Sequence, residues 1–298
     1  MNIKHKSILP KYNHDAKSRN IFVTNLSDHI QSDMLHEIYI LFANKIPKKL
    51  AEKKHLSETR NYLLKQNIYQ FFSSIKRTSQ ELLFDNVIKS LDEQEEKLSL
   101  EKNSKPNNSQ IELSDSFPLP RYITSVDIHC MPGGYGTEYS NNDMSAGTIY
   151  DSSLYLYSKG SLGKYNEDMG KSVCYWLKKN YPSFYPSKIL DLGCGIGNNT
   201  LPYKEQYKKS EVFGIDVSAP MLRYGFKRTN LLDKKIFYSQ QNAEKTNFDD
   251  NFFDLVVSHL LTHETSTIAF KKIIQESKRI LKNKGMMIHV ETDWKTEA

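Results

Sequence analysis

The feature that most constrains the fold is a glycine-rich run in the second half of the chain. It reads Ile189-Leu190-Asp191-Leu192-Gly193-Cys194-Gly195-Ile196-Gly197-Asn198. The apolar residues at its start predict a short buried strand, the glycines predict a tight turn, and a helix is expected to follow. A turn of this kind brings backbone N–H groups and a helix N-terminus close to a nucleotide-like ligand.

Strands and helices alternate from Ser187 onward. The predicted strands are 189–192, 211–215, 236–239, 253–258 and 286–291, and the predicted helices are 198–208, 219–232 and 267–281. Gly285 is expected to end the last of these helices. Apolar strands that alternate with helices indicate a parallel sheet covered on both faces, which is an α/β fold with a doubly wound sheet.

The rest of the chain is predicted to form three further regions. Residues 1–100 are expected to be an N-terminal helical region, in which 1–28 are loosely ordered and helices cover about 31–47, 57–75 and 79–98. Residues 101–117 are polar and predict a linker. The aromatic-rich segment 118–186 precedes the core, which spans 187–298.

Composition narrows the function classes. The three cysteines are far apart and form no CxxC pair, which favours a reduced, cytoplasmic protein. The sequence contains no apolar run long enough for a membrane span and no apolar stretch near Met1 typical of a signal peptide. The net charge of +6 owes much to lysines near Lys48, which predict a solvated helix face rather than a nucleic-acid site.

The residues around the glycines favour one class of ligand. A dinucleotide-binding turn would place its third glycine at position 198, where this chain has Asn198. No Gly-Lys-Ser/Thr follows, so a P-loop is excluded. The acid Asp191 would repel a pyrophosphate but suits a zwitterionic ligand that bears a sulfonium group.

Polar residues follow three other predicted strands. Asp216 ends the second strand, where its carboxylate can accept both hydroxyls of a ribose. The runs 241–244 and 258–259 follow the third and fourth strands. These positions share the carboxyl edge of the sheet, where open α/β sheets bind their ligands.

This combination resembles the class I S-adenosylmethionine-dependent methyltransferases over residues 187–292. The similar motifs are Ile189-Leu190-Asp191-Leu192-Gly193-Cys194-Gly195-Ile196-Gly197, Phe213-Gly214-Ile215-Asp216-Val217-Ser218-Ala219-Pro220-Met221-Leu222, Phe253-Asp254-Leu255-Val256-Val257-Ser258 and Leu281-Lys282-Asn283-Lys284-Gly285-Met286. Within that superfamily, 260–264 is similar to small-molecule methyltransferases that include ubiquinone/menaquinone-biosynthesis enzymes.

The resemblance implies a Rossmann-like, mostly parallel sheet and S-adenosylmethionine as cofactor. Because the sequence ends about seven residues after the predicted fifth strand, the family's antiparallel sixth and seventh strands are expected to be absent. The cofactor-binding residues that it implies are Asp191, Gly193, Cys194, Gly195, Gly197, Asp216, Val217, Met221, Asn242, Ala243, Ser258 and His259.

The remaining site predictions concern catalysis and the acceptor. His259 or His263 could serve as a general base, although each could equally cap a helix or pair with the backbone. The segment 118–165 is predicted to be a lid, with Tyr155 and Tyr165 as substrate contacts. His129 and Cys130 lack partners at metal-ligand spacing, so no metal site is expected.

The function predicted from the sequence is therefore transfer of a methyl group to a small-molecule acceptor. The alternatives are a degenerate or truncated cofactor-binding module that acts through protein interaction, and an RNA methyltransferase. The sequence leaves open the acceptor, the methylated element, and whether the protein is a homodimer.

Overall fold

The computed structural model describes residues 4–43, 56–94, 109–125, 128–138, 140 and 142–292, which form two compact units. The larger unit joins the residues up to Lys11 with Leu91–Thr292, and the smaller comprises Tyr12–Ser90 among the described residues. Within the larger unit, the Lys11 N–H donates to Gln94 Oε1 (2.9 Å), and Gln94 Nε2 donates to the Lys11 carbonyl (2.8 Å). The larger unit is therefore discontinuous in sequence. The domain boundaries predicted above stay predictions.

A parallel sheet forms the centre of the larger unit. Its strands are β1 (Gln110–Glu112), β2 (Lys188–Leu192), β3 (Glu211–Asp216), β4 (Phe237–Gln240), β5 (Phe253–His259) and β6 (Leu281–Val290). Their spatial order is β1-β4-β3-β2-β5-β6, and every pair of neighbours is parallel among the described residues. The predicted Rossmann-like fold is confirmed, with the strand order reversing at β2.

Ten α-helices lie within the described residues. They are α1 (His14–His29), α2 (Leu35–Ala43), α3 (Leu56–Leu63), α4 (Asn67–Asp92), α5 (Arg121–Thr124), α6 (Ser145–Tyr157), α7 (Asp168–Asn180), α8 (Leu201–Gln206), α9 (Ala219–Leu231) and α10 (Thr267–Ile280). None of these helices combines the length and the apolar character that crossing a bilayer requires.

Apolar side chains of the strands alternate between two buried clusters. Ile189 and Val257 belong to one cluster, to which α7, α8 and α9 also contribute. Leu190 and Leu192 belong to the other, which includes residues of α10. Burial on both faces explains why these strands are almost continuously apolar, and it makes the sheet doubly wound.

Two predictions about the larger unit are wrong. Part of the predicted linker, Gln110–Glu112, forms β1 and pairs with β4; a strand of three residues is too short to show a period in the sequence. Gly285 does not end α10, because the helix stops at Ile280 and β6 begins at once. Lys284 (φ 67°) takes the left-handed conformation there.

The smaller unit is more ordered at its start than the sequence suggests. The loosely ordered lead-in predicted for 1–28 is wrong, because α1 covers more than half of it. The Asn13 side chain caps α1 by accepting the Ala16 N–H (2.8 Å). A π-helical turn, Ile30–Met34, connects α1 to α2.

A buried polar residue explains this error. The face of α1 that is buried carries Ala16, Asn20 and Val23, so a polar residue interrupts the apolar stripe. Asn86 of α4 donates to Asn20 Oδ1 and to the Ala16 carbonyl, which satisfies the buried amide.

The other helices of the smaller unit differ from prediction in their ends. The helix predicted to begin at residue 57 breaks after Leu63, and α4 then runs without interruption through the predicted start at 79. The lysine cluster that contributes to the net charge, and the predicted helix end at Pro47, lie outside the described residues.

A buried ionic group lies within the larger unit. Asp151 Oδ2 accepts hydrogen bonds from His5 Nε2 (3.0 Å) and the Tyr224 hydroxyl (2.7 Å), and it lies 3.4 Å from Arg228 Nε. Asn166 donates to Oδ1 (2.8 Å). Burial pushes the pKa of Asp151 upward, but the charge of Arg228 and these hydrogen bonds outweigh it and lower the pKa to about 2. We call these five residues the Asp151 cluster.

Candidate functional site

The glycine loop follows β2 at the centre of the carboxyl edge. Gly193 (φ 64°) and Gly197 (φ 70°) are both in the left-handed region. A Cβ at Gly193 would lie 2.6 Å from Leu261, and one at Gly197 would collide with the Tyr238 hydroxyl. Any larger residue at either position would therefore distort the loop.

A carboxylate from the neighbouring strand holds this loop. Asp216 Oδ2 accepts the Gly195 N–H (2.8 Å), and Oδ1 accepts the Ser218 N–H (2.8 Å). Burial raises the pKa of Asp216 to about 6, although these N–H groups favour the carboxylate. A carboxylate at a strand end beside a glycine-rich turn suits the adjacent hydroxyls of a ribose, so these residues fit the cofactor predicted above.

Three other predicted cofactor residues lie close to the loop. Val217 follows Asp216, and its carbonyl accepts a hydrogen bond from Gln240 (2.9 Å). Met221 is buried in the first turn of α9, and a Cβ at Gly195 would lie 3.5 Å from its Cε. Cys194 is also buried, which raises the pKa of its thiol well above the usual value and leaves it a small apolar residue.

The residues after β4 lie at the same edge. The Asn242 side chain bends toward the backbone and accepts the Glu244 N–H (2.8 Å), while Ala243 is buried. The Asn242 side chain is therefore held in place by its own turn.

Two predicted site residues are turned away from solvent beneath the loop. Asp191 Oδ2 accepts the Thr200 hydroxyl (2.6 Å), and Oδ1 lies 3.4 Å from His259 Nδ1. The other ring nitrogen of His259 lies 3.1 Å from the Tyr203 hydroxyl. Since both its ring nitrogens have partners, His259 is placed to orient Asp191 rather than to exchange protons with an acceptor.

Ser258 faces the neighbouring strand. Its side chain is fully buried, and its Oγ lies 2.7 Å from His289 Nδ1 in β6. Any contact of Ser258 with a ligand would therefore come from its backbone.

His263 belongs to a group of side chains that come from distant parts of the sequence, so their spacing did not predict it. It follows β5 in the turn Thr262–Glu264, and its Nδ1 lies 2.8 Å from Glu291 Oε2. The fold brings His129 to the same place, with its Nε2 3.3 Å from Glu264 Oε1. We call His129, His263 and Glu264 the His129 cluster.

Tyrosines from the predicted lid cover this edge, but they are not the two predicted. The Tyr122 hydroxyl donates to Glu244 (3.1 Å) and the Tyr135 hydroxyl to Glu264 (3.0 Å). Tyr150 packs edge-on against Tyr135, with ring centroids 5.8 Å apart. Burial raises the pKa of Tyr135 well above its usual value, so its hydroxyl stays a donor. The aromatic composition indicated such residues without distinguishing these three.

The two predicted substrate tyrosines have other neighbours. Tyr155 packs against Gly160, and Tyr165 packs against His5 and lies beside Arg228 of the Asp151 cluster. The Tyr165 carbonyl also accepts a hydrogen bond from Arg228 (2.6 Å). These contacts stabilise the fold, and none of them is to a residue at the carboxyl edge of the sheet.

Residues 189–285 match a family model described as a methyltransferase domain. The ubiquinone/menaquinone biosynthesis C-methyltransferase UbiE of Burkholderia mallei is 33% identical over 111 residues, which are 35% of this chain and 42% of that protein. An uncharacterised protein of Rickettsia prowazekii is 32% identical over 110 residues, or 36% of this chain and 43% of the other. The chain thus spans less than half the length of these relatives.

Among solved structures, a protein of Pyrococcus horikoshii aligns with a TM-score of 0.41 at 23% identity. The alignment covers 47% of this chain and 60% of that one.

Proposed function

We propose that this chain, a member of the class I S-adenosylmethionine-dependent methyltransferase superfamily, transfers a methyl group to a small-molecule acceptor. Its cofactor is S-adenosylmethionine. The observation that carries the proposal is the Asp216 carboxylate, which lies 2.8 Å from the backbone N–H of Gly195 in the glycine loop. One group thus joins the loop after β2 to the end of β3, at the point where the strand order reverses.

Positioning would account for most of the catalysis. When bound, S-adenosylmethionine supplies a methyl group that its sulfonium already activates. The protein then has to hold donor and acceptor in line and exclude water. In our proposal the glycine loop borders the amino-acid part, Asp216 accepts the ribose hydroxyls, and Val217, Met221 and Ala243 border the adenine. Asp191 is buried beneath the loop, from where its negative charge attracts the positively charged cofactor.

The acceptor would lie between the glycine loop and the tyrosines that cover the edge. Tyr135 and Tyr150 replace Tyr155 and Tyr165 as the proposed contacts, because Tyr135 reaches residues after both β3 and β5. The Ser218 hydroxyl donates to the Tyr135 carbonyl (2.5 Å), and the Tyr135 hydroxyl donates to Glu264. A covered edge favours a small acceptor, and the similar UbiE is named for ubiquinone/menaquinone biosynthesis.

Calorimetry with S-adenosylmethionine and with its demethylated product tests the cofactor assignment directly. We expect both to bind with a Kd of about 100 μM or tighter. Incubation with a methyl-labelled donor and a small-molecule extract should then label a low-mass product. The absence of binding by either compound would refute the proposal. Binding without any transfer would instead favour a degenerate module, and label in added tRNA would favour RNA methylation.

Cofactor binding should depend on pH through Asp216. Its raised pKa of about 6 means that the carboxylate becomes protonated as the pH falls from 7 to 5, and a neutral acid accepts hydrogen bonds from hydroxyls more weakly. We expect the Kd for S-adenosylmethionine to rise up to about tenfold at pH 5 relative to pH 7.5. Titrations at four pH values would measure this rise. A Kd that stays constant, or that falls toward pH 5, would contradict the assignment of Asp216.

A further inference from the structure

The His129 cluster brings together three side chains that can each bind a metal ion. His263 and Glu264 are neighbours in the sequence, whereas His129 is distant from both. His129 lies in the turn Ile128–Cys130, and His263 and Glu264 lie in the turn after β5. Glu264 Oε1 lies 3.3 Å from His129 Nε2 and 3.8 Å from His263 Nε2. One ligand atom from each residue falls within 4.8 Å of the other two.

We propose that His129, His263 and Glu264 bind a divalent transition-metal cation, with Zn²⁺ as the ion that fits them best. Ligands at about 2.0–2.1 Å from a tetrahedral Zn²⁺ lie about 3.3 Å from one another. The two distances from Glu264 already approach that spacing, so binding requires only small side-chain rotations. Two imidazoles and one carboxylate suit Zn²⁺ better than Mg²⁺ or Ca²⁺, which prefer oxygen ligands.

The surroundings prepare His263 for this role. Glu291 Oε2 lies 2.8 Å from Nδ1 of His263, so the proton is held on Nδ1 and the lone pair of Nε2 is directed toward Glu264. The Thr262 N–H in turn donates to the other oxygen of Glu291 (2.6 Å). A carboxylate that orients a ligand histidine in this manner is the usual second layer of a protein zinc site.

Glu264 is held in the same way. The Tyr135 hydroxyl donates to its Oε1 (3.0 Å), which fixes the carboxylate between the two histidines. Its side chain is 16% exposed and that of His263 is 23% exposed, so solvent can reach the cluster and a cation can enter.

The cluster adjoins the proposed cofactor cleft. Leu261, two residues before His263, would contact a Cβ at Gly193 of the glycine loop. Three protein ligands leave at least one coordination position for water or for a substrate oxygen. If the proposed methyl transfer is correct, on which this step rests, an acceptor with an anionic oxygen could occupy that position.

Metal binding can be measured on the full chain without cofactor or acceptor, so its outcome is independent of the proposed function. After dialysis against a chelator, calorimetry with Zn²⁺ should show one ion per chain with a Kd of about 10 μM or tighter. Titration with Co²⁺ should produce visible absorption bands of a nitrogen- and oxygen-ligated ion. No Zn²⁺ binding up to about 1 mM would overturn the proposal.

Variants then locate the ion. We expect His263→Ala and Glu264→Gln to weaken Zn²⁺ binding at least about a hundredfold, and Glu291→Gln to weaken it about 10–100-fold by releasing His263. His29→Ala is the matched control, because His29 also pairs with a carboxylate (Asp33, 2.8 Å), in the smaller unit.

The melting temperature of each variant shows whether it is folded, and Glu264→Gln keeps the shape of the side chain if His263→Ala fails to fold. Zn²⁺ binding that is unchanged in folded Glu264→Gln, or that is lost in His29→Ala, would place the ion elsewhere and overturn the proposal.

Discussion

The Asp216→Ala variant is expected to bind S-adenosylmethionine at least about a hundredfold more weakly than the unmodified chain. Hydrogen bonds to a charged group contribute about 1.5–3 kcal/mol each, and the proposal gives Asp216 two of them, one from each ribose hydroxyl. The variant also removes the acceptor of the Gly195 and Ser218 N–H groups, which loosens the glycine loop. Calorimetry at pH 7.5 gives both dissociation constants.

The loss should be one of binding rather than of folding. Burial raises the pKa of Asp216, so above pH 6, where its carboxylate is ionised, the buried charge lowers the stability of the folded protein. Removing the side chain relieves that cost. We therefore expect the cofactor-free variant to melt within about 3 °C of the unmodified chain.

Two further variants sharpen this test. Asp216→Asn keeps one accepting oxygen and should lie between the other two proteins in affinity. Asp249→Ala removes an exposed aspartate and should change neither affinity nor melting temperature. An Asp216→Ala protein that binds the cofactor within about threefold of the unmodified chain would show that another group holds the ribose.

The Asp151→Ala variant should be the most destabilised of the single substitutions. It would leave the guanidinium of Arg228, which is fully buried, without its carboxylate, and it would remove the acceptor of His5 and Tyr224. Breaking a buried ion pair on one side costs about 3–5 kcal/mol, which for a chain of this size lowers the melting temperature by roughly 10 °C. Thermal unfolding followed by circular dichroism measures the shift.

The ion pair of Asp151 and Arg228 also predicts that the stability of the protein falls in acid. Because the pKa of Asp151 is lowered from 3.8 to about 2 in the folded protein, its stabilisation is present above pH 4 and is lost as the pH falls toward 2. The Asp151→Ala protein should lack this part of the acid sensitivity.

A double variant separates the buried charge from simple loss of packing. In Asp151→Leu with Arg228→Met both charges are replaced by apolar side chains, and much of the lost stability should return. If Asp151→Ala melts within about 3 °C of the unmodified chain, Arg228 has found another partner and our account of the cluster is wrong.

The sequence was sufficient for the five strands β2 to β6 because each of them carries a local signal. Runs such as 189–192 and 253–257 are short and mostly apolar, and their length and the turn residues that flank them distinguish them from helices. The glycines and Asp216 are likewise recognisable, since the turn and the strand end that require them are local features.

Contacts between distant residues could not be predicted in this way. Nothing near His129 in the sequence indicates that Glu264 will lie 3.3 Å away. Tyr122, Tyr135 and Tyr150 cannot be told from Tyr155 and Tyr165 by composition, because their directions depend on the path of residues 118–165. The roles of His259 and Ser258 also depended on which way buried polar side chains turn.

The discontinuity of the larger unit determines when it can form during synthesis. His5 leaves the ribosome long before its partner Asp151 exists, and the residues from Tyr12 to Ser90 are made between them. The described part of the smaller unit is therefore complete early, whereas the larger unit must wait for β2 and β5 at its centre. Until Asp151 has been synthesised, His5 cannot make this buried contact, and it must dock on the larger unit afterwards.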